Sequence, residues 1–536
     1  MEYGRNRCAV GAGDSRGTYS SADDVDRRND ARGAGPASGW FYRMAGGKAA
    51  VLAAGMLFAV ASAARAGDSR KPPVDGLAAA TTNVGANASS PGVKAVNPVI
   101  LVAGGDVGGS LFHVLASALF VTSTSAAQVY VPDSGRFDPT PRPLNESREL
   151  ATETPLPNGK ILIAGGLKCA NGPLGPRCKA LDSAELFDPA SGSFIKAGSG
   201  SGYKMASPRS GHTATVIKGC NCPADGKVLL AGGVRDKVAT IPTGIISTPP
   251  VNTAEIYDPA TDSFIALSAT MRDARVHHAA ASLGDGKVLI VGGDSAGFFE
   301  HALATAEIYD AKSGRFVAVG VMEKPREFAE ATVFDPKVIK GPLAGKVLIT
   351  GGVVAHARLK GDSTDSAELF DPRSTGFVKV ESRMSSPRAG HSATLFTSGP
   401  LAGKVLIAGG ISTIGDGTAL GTKQRSEQTA DLYDPSAGPT GRFRPTGKLN
   451  EGRAGHVVAL LPHGTHAGRV LVAGGENCNG AAPSACYVAG SSADKAAGNP
   501  GVGVEVYDPV SETWRPLRGA MPTLVNAASG QGMILF

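Results

Sequence analysis

Aromatic residues, charged residues and cysteines are all scarce in this chain of 536 residues. Aromatic side chains make up 6% of the sequence and charged ones 19%, whereas 42% of the residues are hydrophobic. This hydrophobic fraction excludes a mainly disordered or collagen-like chain. The formal net charge of +6 is small for the length, so we expect no nucleic-acid partner.

The N-terminal segments lack the pattern of a folded domain. Residues 1–43 are polar, charged and without periodicity. Residues 44–66 are typical of a secretory signal peptide, with Lys48, an Ala-rich apolar run and the small residues Ala64-Arg65-Ala66. The apolar run is about 16 residues long, shorter than the roughly 20 of a membrane-spanning helix. Cleavage is therefore the prediction, and retention as a membrane anchor is the alternative.

An exported protein follows from this prediction. Residues 1–43 are then a disordered or over-long extension ahead of a true start at Met44. Removal of residues 1–66 leaves 536 − 66 = 470 residues. Residues 67–97 are predicted to be a flexible linker. We expect a secreted or periplasmic monomer that is not stably inserted in a membrane after cleavage.

Glycine is abundant instead, with 72 residues, and its pairs mark a repeat across residues 98–536. An apolar run ends in a Gly-Gly pair at seven places, which begin at Gly104, Gly165, Gly232, Gly292, Gly351, Gly409 and Gly474. A short strand ending in an aromatic follows each pair, at Tyr130, Phe187, Tyr257, Tyr309, Phe370, Tyr433 and Tyr507. A second aromatic comes after a turn, at Phe137, Phe194, Phe264, Phe316, Phe377, Phe443 and Trp514. Scarce residues at such regular places indicate seven copies of one unit.

Each unit is predicted to be a four-stranded antiparallel sheet with strands a to d. Residues 211–217 represent strand a, residues 287–293 strand b and residues 254–258 strand c. Strand b is apolar at consecutive positions, which indicates cover on both faces. A turn of the Asp188-Pro189-Ala190-Ser191-Gly192 kind separates strands c and d. Because one such sheet cannot bury both faces, we predict an all-β, seven-bladed β-propeller.

These repeats resemble the kelch family over about residues 98–536, through the double Gly, the strand-c Tyr and the strand-d Trp or Phe. Only Trp514 keeps Trp in strand d, and Ala151 and Ala329 replace the strand-a His in two blades. The resemblance implies a ring closed by the C-terminal strand, because the chain enters at strand b and ends in residues 524–536. That segment would supply the missing inner strand of the first blade.

The connections between strands b and c are long and dissimilar, which places recognition on the face that carries them. The loop 298–301 is a candidate contact tip, although packing against a neighbour is an equal alternative. An arginine opens strand a in six blades, at Arg148, Arg209, Arg275, Arg326, Arg388 and Arg453. They could form a basic ring for an anionic ligand at the channel mouth. Pairing of each with a strand-c Glu is the structural alternative, and we favour it.

Metal and catalytic chemistry find little support in the sequence. His212, His278, His391 and His456 occupy equivalent places on different blades, so we expect a local hydrogen bond in each blade and no metal. The cysteines of the mature chain predict three local disulfides, or alternatively a metal site: Cys169–Cys178, Cys220–Cys222 and Cys478–Cys486. No catalytic residue and no cofactor are predicted.

The sequence therefore predicts an exported binding module that recognises a protein or a glycan through its b–c loop face. The alternative is a carbohydrate-active enzyme, since galactose oxidase and periplasmic sugar mutarotases use kelch propellers. The copper site of such an oxidase requires a crosslinked Cys-Tyr pair, a second Tyr and two His, and the sequence does not provide that set.

Overall fold

Each repeat forms one antiparallel sheet, because its apolar strand b pairs with strand c and, in six of the seven repeats as described, with strand a as well. The computed structural model describes residues 100–104, 123–172, 175–198, 204–235, 237–241, 244–246, 249–296, 301–357, 360–415, 422–478, 486–488 and 502–517. The predicted N-terminal extension, signal peptide and linker lie outside these residues, as does the segment 524–536. All regular structure in the described part is β, and no helix there could cross a membrane.

Seven sheets form the blades of a propeller, numbered here in chain order with strands a to d. Blade 1 has three described strands, which take positions b, c and d: Ile100–Ala103, Ala127–Val131 and Arg136–Pro139. Blades 2 to 4 are Thr152–Pro155, Ile161–Ala164, Ala184–Asp188 and Ser193–Lys196; Thr213–Val216, Val228–Ala231, Ala254–Asp258 and Ser263–Ala266; and Ala279–Gly284, Lys287–Val291, Ala306–Asp310 and Arg315–Ala318. Blades 5 to 7 are Glu330–Val333, Val347–Thr350, Ala367–Asp371 and Gly376–Lys379; Ser392–Leu395, Val405–Ala408, Ala430–Asp434 and Arg442–Pro445; and Val457–Leu460, Val470–Ala473, Val504–Asp508 and Thr513–Pro516.

The hydrophobic core lies between the blades. The apolar residues of strand b are buried in every blade, whereas much of strand d is exposed at the outer rim. The two repeated aromatics pair across strands c and d, as in Tyr257 with Phe264. In all seven blades their ring centroids are 4.8–5.1 Å apart and the rings are tilted. The repeated aromatic rings thus pack against each other between strands c and d, the two outer strands of each blade.

The blades form a ring around the strands a, which lie next to one another from blade 2 to blade 7. Blade 1 joins the two ends of this series. Its Ile100 and Val102 share one buried cluster with Ile161 of blade 2 and with Leu471 of blade 7. The Thr465 hydroxyl also donates to the Pro132 carbonyl at 3.2 Å, between blades 7 and 1. The closing strand expected from residues 524–536 stays a prediction.

Among the described residues, five b–c connections form β-hairpins on one face, which we call the crown. Their strands are Leu167–Gly172 with Gly175–Ala180, Lys237–Ile241 with Gly244–Ile246, Val353–Ala357 with Lys360–Ser363, Ile411–Gly415 with Thr422–Ser426, and Glu476–Cys478 with Cys486–Val488. The a–b and c–d turns lie on the opposite face. The sequence predicted long, dissimilar loops here but not this paired structure.

Candidate functional site

The six repeated arginines are buried beneath the crown. Each is at most 1% exposed. Each lies 2.7–3.0 Å from a carboxylate at the second position of strand c in its own blade: Glu185, Glu255, Glu307, Glu368, Asp431 and Glu505. The arginines are therefore paired with strand-c acids, as the structural alternative expected, and do not form an open basic ring. The carboxylates offset the cost of burying these six positive charges. None of the six guanidinium groups is exposed to receive a ligand.

The same guanidinium groups explain the double glycine. Arg209 Nη1 donates to the carbonyl of Gly232 at 2.9 Å, at the end of strand b, and the other five arginines make the equivalent bond. Gly232 also lies against the next blade, where a Cβ would be 2.4 Å from the Arg275 carbonyl oxygen. A glycine is required there because of both this contact and its φ of +67°.

Each of the four repeated histidines contacts a neighbouring blade. The expectation that each makes a hydrogen bond within its own blade was therefore wrong. The Nε2 atoms of His212 and His278 lie 3.1 and 2.8 Å from the hydroxyls of Thr152 and Thr213 in the preceding blade. His391 and His456 make corresponding contacts with Thr350 and Ser392. Burial lowers the pKa of His212 and of His456 to about 3, so both are neutral at pH 7. They stabilise the ring and do not converge on a metal.

A belt of backbone hydrogen bonds runs around the channel just above the inner strands. It passes from blade to blade through one residue of each, in the order Leu150, Gly211, His277, Phe328, Gly390 and Gly455. The N–H of each residue after Leu150 donates to the carbonyl of the previous one at 2.8–3.3 Å. All six have a positive φ. Three blades thus keep side chains where the other three have glycine.

These three side chains form the floor of the crown. Leu150, His277 and Phe328 are 2%, 9% and 8% exposed. The imidazole of His277 stacks on the ring of Phe328 with centroids 4.1 Å apart, and its Nδ1 lies 2.8 Å from Glu327 Oε1. Left-handed conformations cost non-glycine residues about 1–2 kcal/mol each. The sequence reasoning missed this floor, although the replacement of Gly by Leu, His and Phe after each arginine could have indicated it.

The crown hairpins are joined to one another across blade boundaries. Strand Lys237–Ile241 pairs with strand Gly175–Ala180, which unites two hairpins in one four-stranded sheet. The N–H of Ser363 donates to the Thr413 hydroxyl and the N–H of Thr413 to the Ser363 hydroxyl, at 2.9 and 3.0 Å. The N–H of Cys478 donates to the Ser426 hydroxyl at 2.9 Å. The described crown therefore consists of two connected groups of hairpins, one from blades 2 and 3 and one from blades 5 to 7. The candidate tip 298–301 lies outside the described residues except for His301.

Two of the three predicted disulfides are found among the described residues. Cys169 bonds Cys178 within the first crown hairpin, and Cys220 bonds Cys222 on the opposite face. Cys478 is disulfide-bonded as well, and Cys486 is its partner in the strand register. Bridges within single hairpins constrain the crown locally.

One carboxyl group lies beside the first of these disulfides. Glu149 Oε1 is 2.8 Å from Cys169 Sγ, and burial raises the pKa of Glu149 to about 8. Because a disulfide sulfur carries no hydrogen, the carboxyl donates in this contact. Among the described residues, Glu149, Cys169 and Cys178 are also the one group of three possible metal ligands within 4.8 Å of each other. With both sulfurs in a disulfide, the group has no thiolate to offer a metal.

Comparisons with known proteins add the following. No family model matches the sequence, and no curated protein matches it. Among solved structures, the chain is similar to one described as "Structure of YjhT", with 17% sequence identity and a TM-score of 0.42. That match covers 64% of this chain and 93% of the other. The propeller architecture given above is established by the strand pairing of the chain itself.

Proposed function

We propose that this chain is an exported kelch-type propeller that binds a protein or a carbohydrate through its crown. The kelch assignment is supported by the repeat residues, each of which has a structural role. The carbonyl of the first glycine in each pair accepts a hydrogen bond from the arginine of its blade, and this glycine also contacts the next blade, as at Gly232. The strand-c and strand-d aromatics pair at the outer side of each blade, as at Tyr507 and Trp514.

The observation that carries the binding proposal is the connection of crown hairpins across blade boundaries. Binding surfaces are commonly built from variable loops held on a rigid scaffold. Here the loops are fixed further by strand pairing between Gly175–Ala180 and Lys237–Ile241 and by the reciprocal bonds of Ser363 and Thr413. Such preorganisation lowers the entropy lost on binding.

A pull-down from extracellular material, combined with a glycan array, tests this proposal. Two matched variants locate the surface: Ala170→Glu in the crown, where Ala170 is exposed, and Val510→Glu on the opposite face, where Val510 is 80% exposed. We expect Ala170→Glu to lose captured ligands that Val510→Glu retains. Loss in Val510→Glu alone would contradict recognition through the crown.

The floor supports a second candidate, a carbohydrate-active enzyme. His277 Nδ1 lies 2.8 Å from Glu327 Oε1, so a carboxyl group orients the imidazole. An imidazole oriented in this way is a typical arrangement for a general base. A sugar-mutarotation assay of wild type and His277→Gln tests this candidate. Equal rates, no faster than buffer, would exclude a mutarotase.

A further inference from the structure

The disulfide between Cys220 and Cys222 closes a very small ring. The two cysteines are two positions apart, with only Asn221 between them, and the planar peptide bonds on either side of Asn221 lie inside the ring. Cys169 and Cys178 are nine positions apart and are brought together by the pairing of two strands. The bridge of the crown hairpin therefore joins residues that strand pairing already holds together, whereas the small ring imposes its own conformation on the backbone.

The backbone inside this ring is held in an unfavourable conformation. Asn221 has a φ of +48°, in the left-handed region, which costs residues with a side chain free energy, although it costs asparagine less than most. The Cα atoms of Cys220 and Cys222 are 5.1 Å apart, whereas two extended residues span roughly 7 Å. Reduction of the bridge releases Asn221 from this conformation. Because strained disulfides are more easily reduced than relaxed ones, we expect Cys220–Cys222 to be the more labile bridge.

The two cysteines of this bridge differ in exposure. Cys220 is 5% exposed and lies against the a–b turn of the next blade, where a Cβ on Gly286 would be 2.5 Å from the Cys220 Cβ. The N–H of Gly286 also donates to the Lys218 carbonyl at 3.0 Å, which holds this turn beside Cys220. Cys222 is half-buried, and its neighbour Pro223 is exposed. We therefore expect an attacking thiolate to reach the Cys222 sulfur, with the Cys220 sulfur as the leaving group.

We propose that Cys220–Cys222 is a redox-active disulfide that exchanges with peptides or proteins carrying a pair of thiols. Three observations meet at this bridge: the small ring, the left-handed Asn221 and the difference in burial between the two cysteines. Strained or exposed disulfides are the ones that act in thiol exchange. The inference goes beyond the proposed function, since this bridge lies on the face opposite the crown.

The exchange has two steps. A thiolate of the substrate attacks Cys222 Sγ, so a mixed disulfide forms, the Cys220–Cys222 bond breaks, and the Cys220 thiolate takes a proton from water. The second thiol of the substrate, once deprotonated, attacks the substrate sulfur of the mixed disulfide and releases Cys222, which is protonated in turn. The substrate is oxidised to a disulfide, and its electron pair reduces the bridge to two thiols. Oxidised glutathione, a small disulfide, regenerates the bridge by the reverse exchange.

Equilibration of the purified chain with glutathione redox buffers tests the lability of the bridge. Free thiols are alkylated at each buffer composition, and mass spectrometry of the peptides gives the reduced fraction of each disulfide. The buried Cys169–Cys178 bridge is the internal control. With reduced glutathione held constant, we expect Cys220–Cys222 to be half reduced at a ratio of reduced to oxidised glutathione at least about tenfold lower than Cys169–Cys178 requires. Equal ratios, or the reverse order, would overturn the proposal.

The attacked sulfur is identified in the wild type and in two matched variants. Glutathione trapped by acid during reduction of the wild type should be found on Cys222 and not on Cys220. Cys220→Ser leaves the half-buried Cys222 as a free thiol, and Cys222→Ser leaves the buried Cys220, while both lose the same bridge. We expect oxidised glutathione to react with the first variant at least about ten times faster than with the second, because exposure governs access. Glutathione on Cys220, or equal rates, would contradict the assigned roles.

A synthetic peptide with two cysteines tests the exchange itself. The oxidised wild type should convert this dithiol to its disulfide in an amount that matches the amount of chain. Cys220→Ser/Cys222→Ser keeps the Cys169–Cys178 bridge and should oxidise the peptide no faster than buffer does. A wild-type rate equal to that of the double variant would overturn the proposal. The outcome is independent of the pull-down through the crown, since the double variant leaves the crown unchanged.

Discussion

Arg209 donates from Nε to Glu255 Oε1 at 2.7 Å, with both side chains at most 1% exposed. The pair connects the entry of strand a to strand c of blade 3, and five other blades repeat it. Removing one partner leaves an unpaired buried charge, which costs about 3–5 kcal/mol. We predict a loss of this size for Arg209→Met, measured by denaturant unfolding.

The exposed pair Lys204–Asp182 is the control for this prediction, since its side chains are 65% and 35% exposed. Lys204→Met should change the unfolding free energy by no more than about 1 kcal/mol. Similar losses for the two variants would contradict the structural role assigned to the buried arginines.

The double glycine gives a second prediction. Gly232 and Gly314 have nearly the same φ, +67° and +65°, but only Gly232 lies against a neighbouring blade. Gly314→Ala should cost about 1–2 kcal/mol from backbone strain alone, because nothing lies within 4 Å of the added Cβ. Gly232→Ala should cost clearly more, since its Cβ would be 2.4 Å from a carbonyl oxygen. Equal melting temperatures for the two variants would refute the close approach.

The buried histidines make stability depend on pH. The pKa values of His212, His277 and His456 are lowered to about 3 by burial, against an ordinary 6.5. The unfolded chain therefore binds protons that the folded chain does not, and stability is lost as pH falls from 6.5 towards 3. Glu149, with its pKa raised to about 8, has the opposite effect, and its contribution is lost as pH rises from 4.5 through 8.

Burial also raises the pKa of Glu330 and of Asp431 and lowers the pKa of His278 and of His391. Because the five histidines outnumber the three carboxyls, we predict a net loss of several kcal/mol between pH 7 and pH 4, measured by urea unfolding. His212→Asn should flatten the pH dependence. The same change at His463, whose side chain is 35% exposed, should leave it nearly as in wild type. A flat profile in the wild type would contradict this.

Ring closure gives a fourth prediction. Blade 1 has Gln128 where the other blades have the acid that pairs with arginine. In those blades the arginine comes four residues after a Met or Leu, and four residues after Met521 the sequence has Val525. The charged pair is thus replaced at both positions, as expected if residues 524–536 complete blade 1. Gln128→Glu should destabilise by about 3 kcal/mol, and adding Val525→Arg should restore much of the loss.

Additive effects of the two substitutions would contradict this register. Deletion of residues 524–536 should unfold the ring, and an unchanged melting temperature would count against closure by this segment.

The repeat could be predicted from the sequence because its physical requirements fall on Gly-Gly pairs and on the scarce aromatic residues. Gly-Gly pairs and paired aromatics such as Tyr257 and Phe264 mark every blade, whatever lies between them. The arginine pairing was also foreseeable, since each Arg has an acid in strand c of its own blade. The partners of the histidines were not, because the Thr152 hydroxyl that contacts His212 lies in another blade, about 60 residues away.

The crown was the least predictable part. Pairing of Cys178 with Val238 depends on how two neighbouring blades place their loops, which no local pattern records. The belt depends equally on closure of the ring, since the N–H of Phe328 reaches the carbonyl of His277 only between adjacent blades. Side chains that line the centre of a propeller are brought together by symmetry and not by sequence spacing.

Amide hydrogen exchange of the chain with and without its captured ligand tests the central claim most directly. Recognition through the crown predicts slower exchange in residues 167–180, 237–246, 353–363, 411–426 and 476–488. The a–b and c–d turns on the opposite face should be unchanged. Protection confined to those turns, with the crown exchanging as in the free protein, would contradict the account.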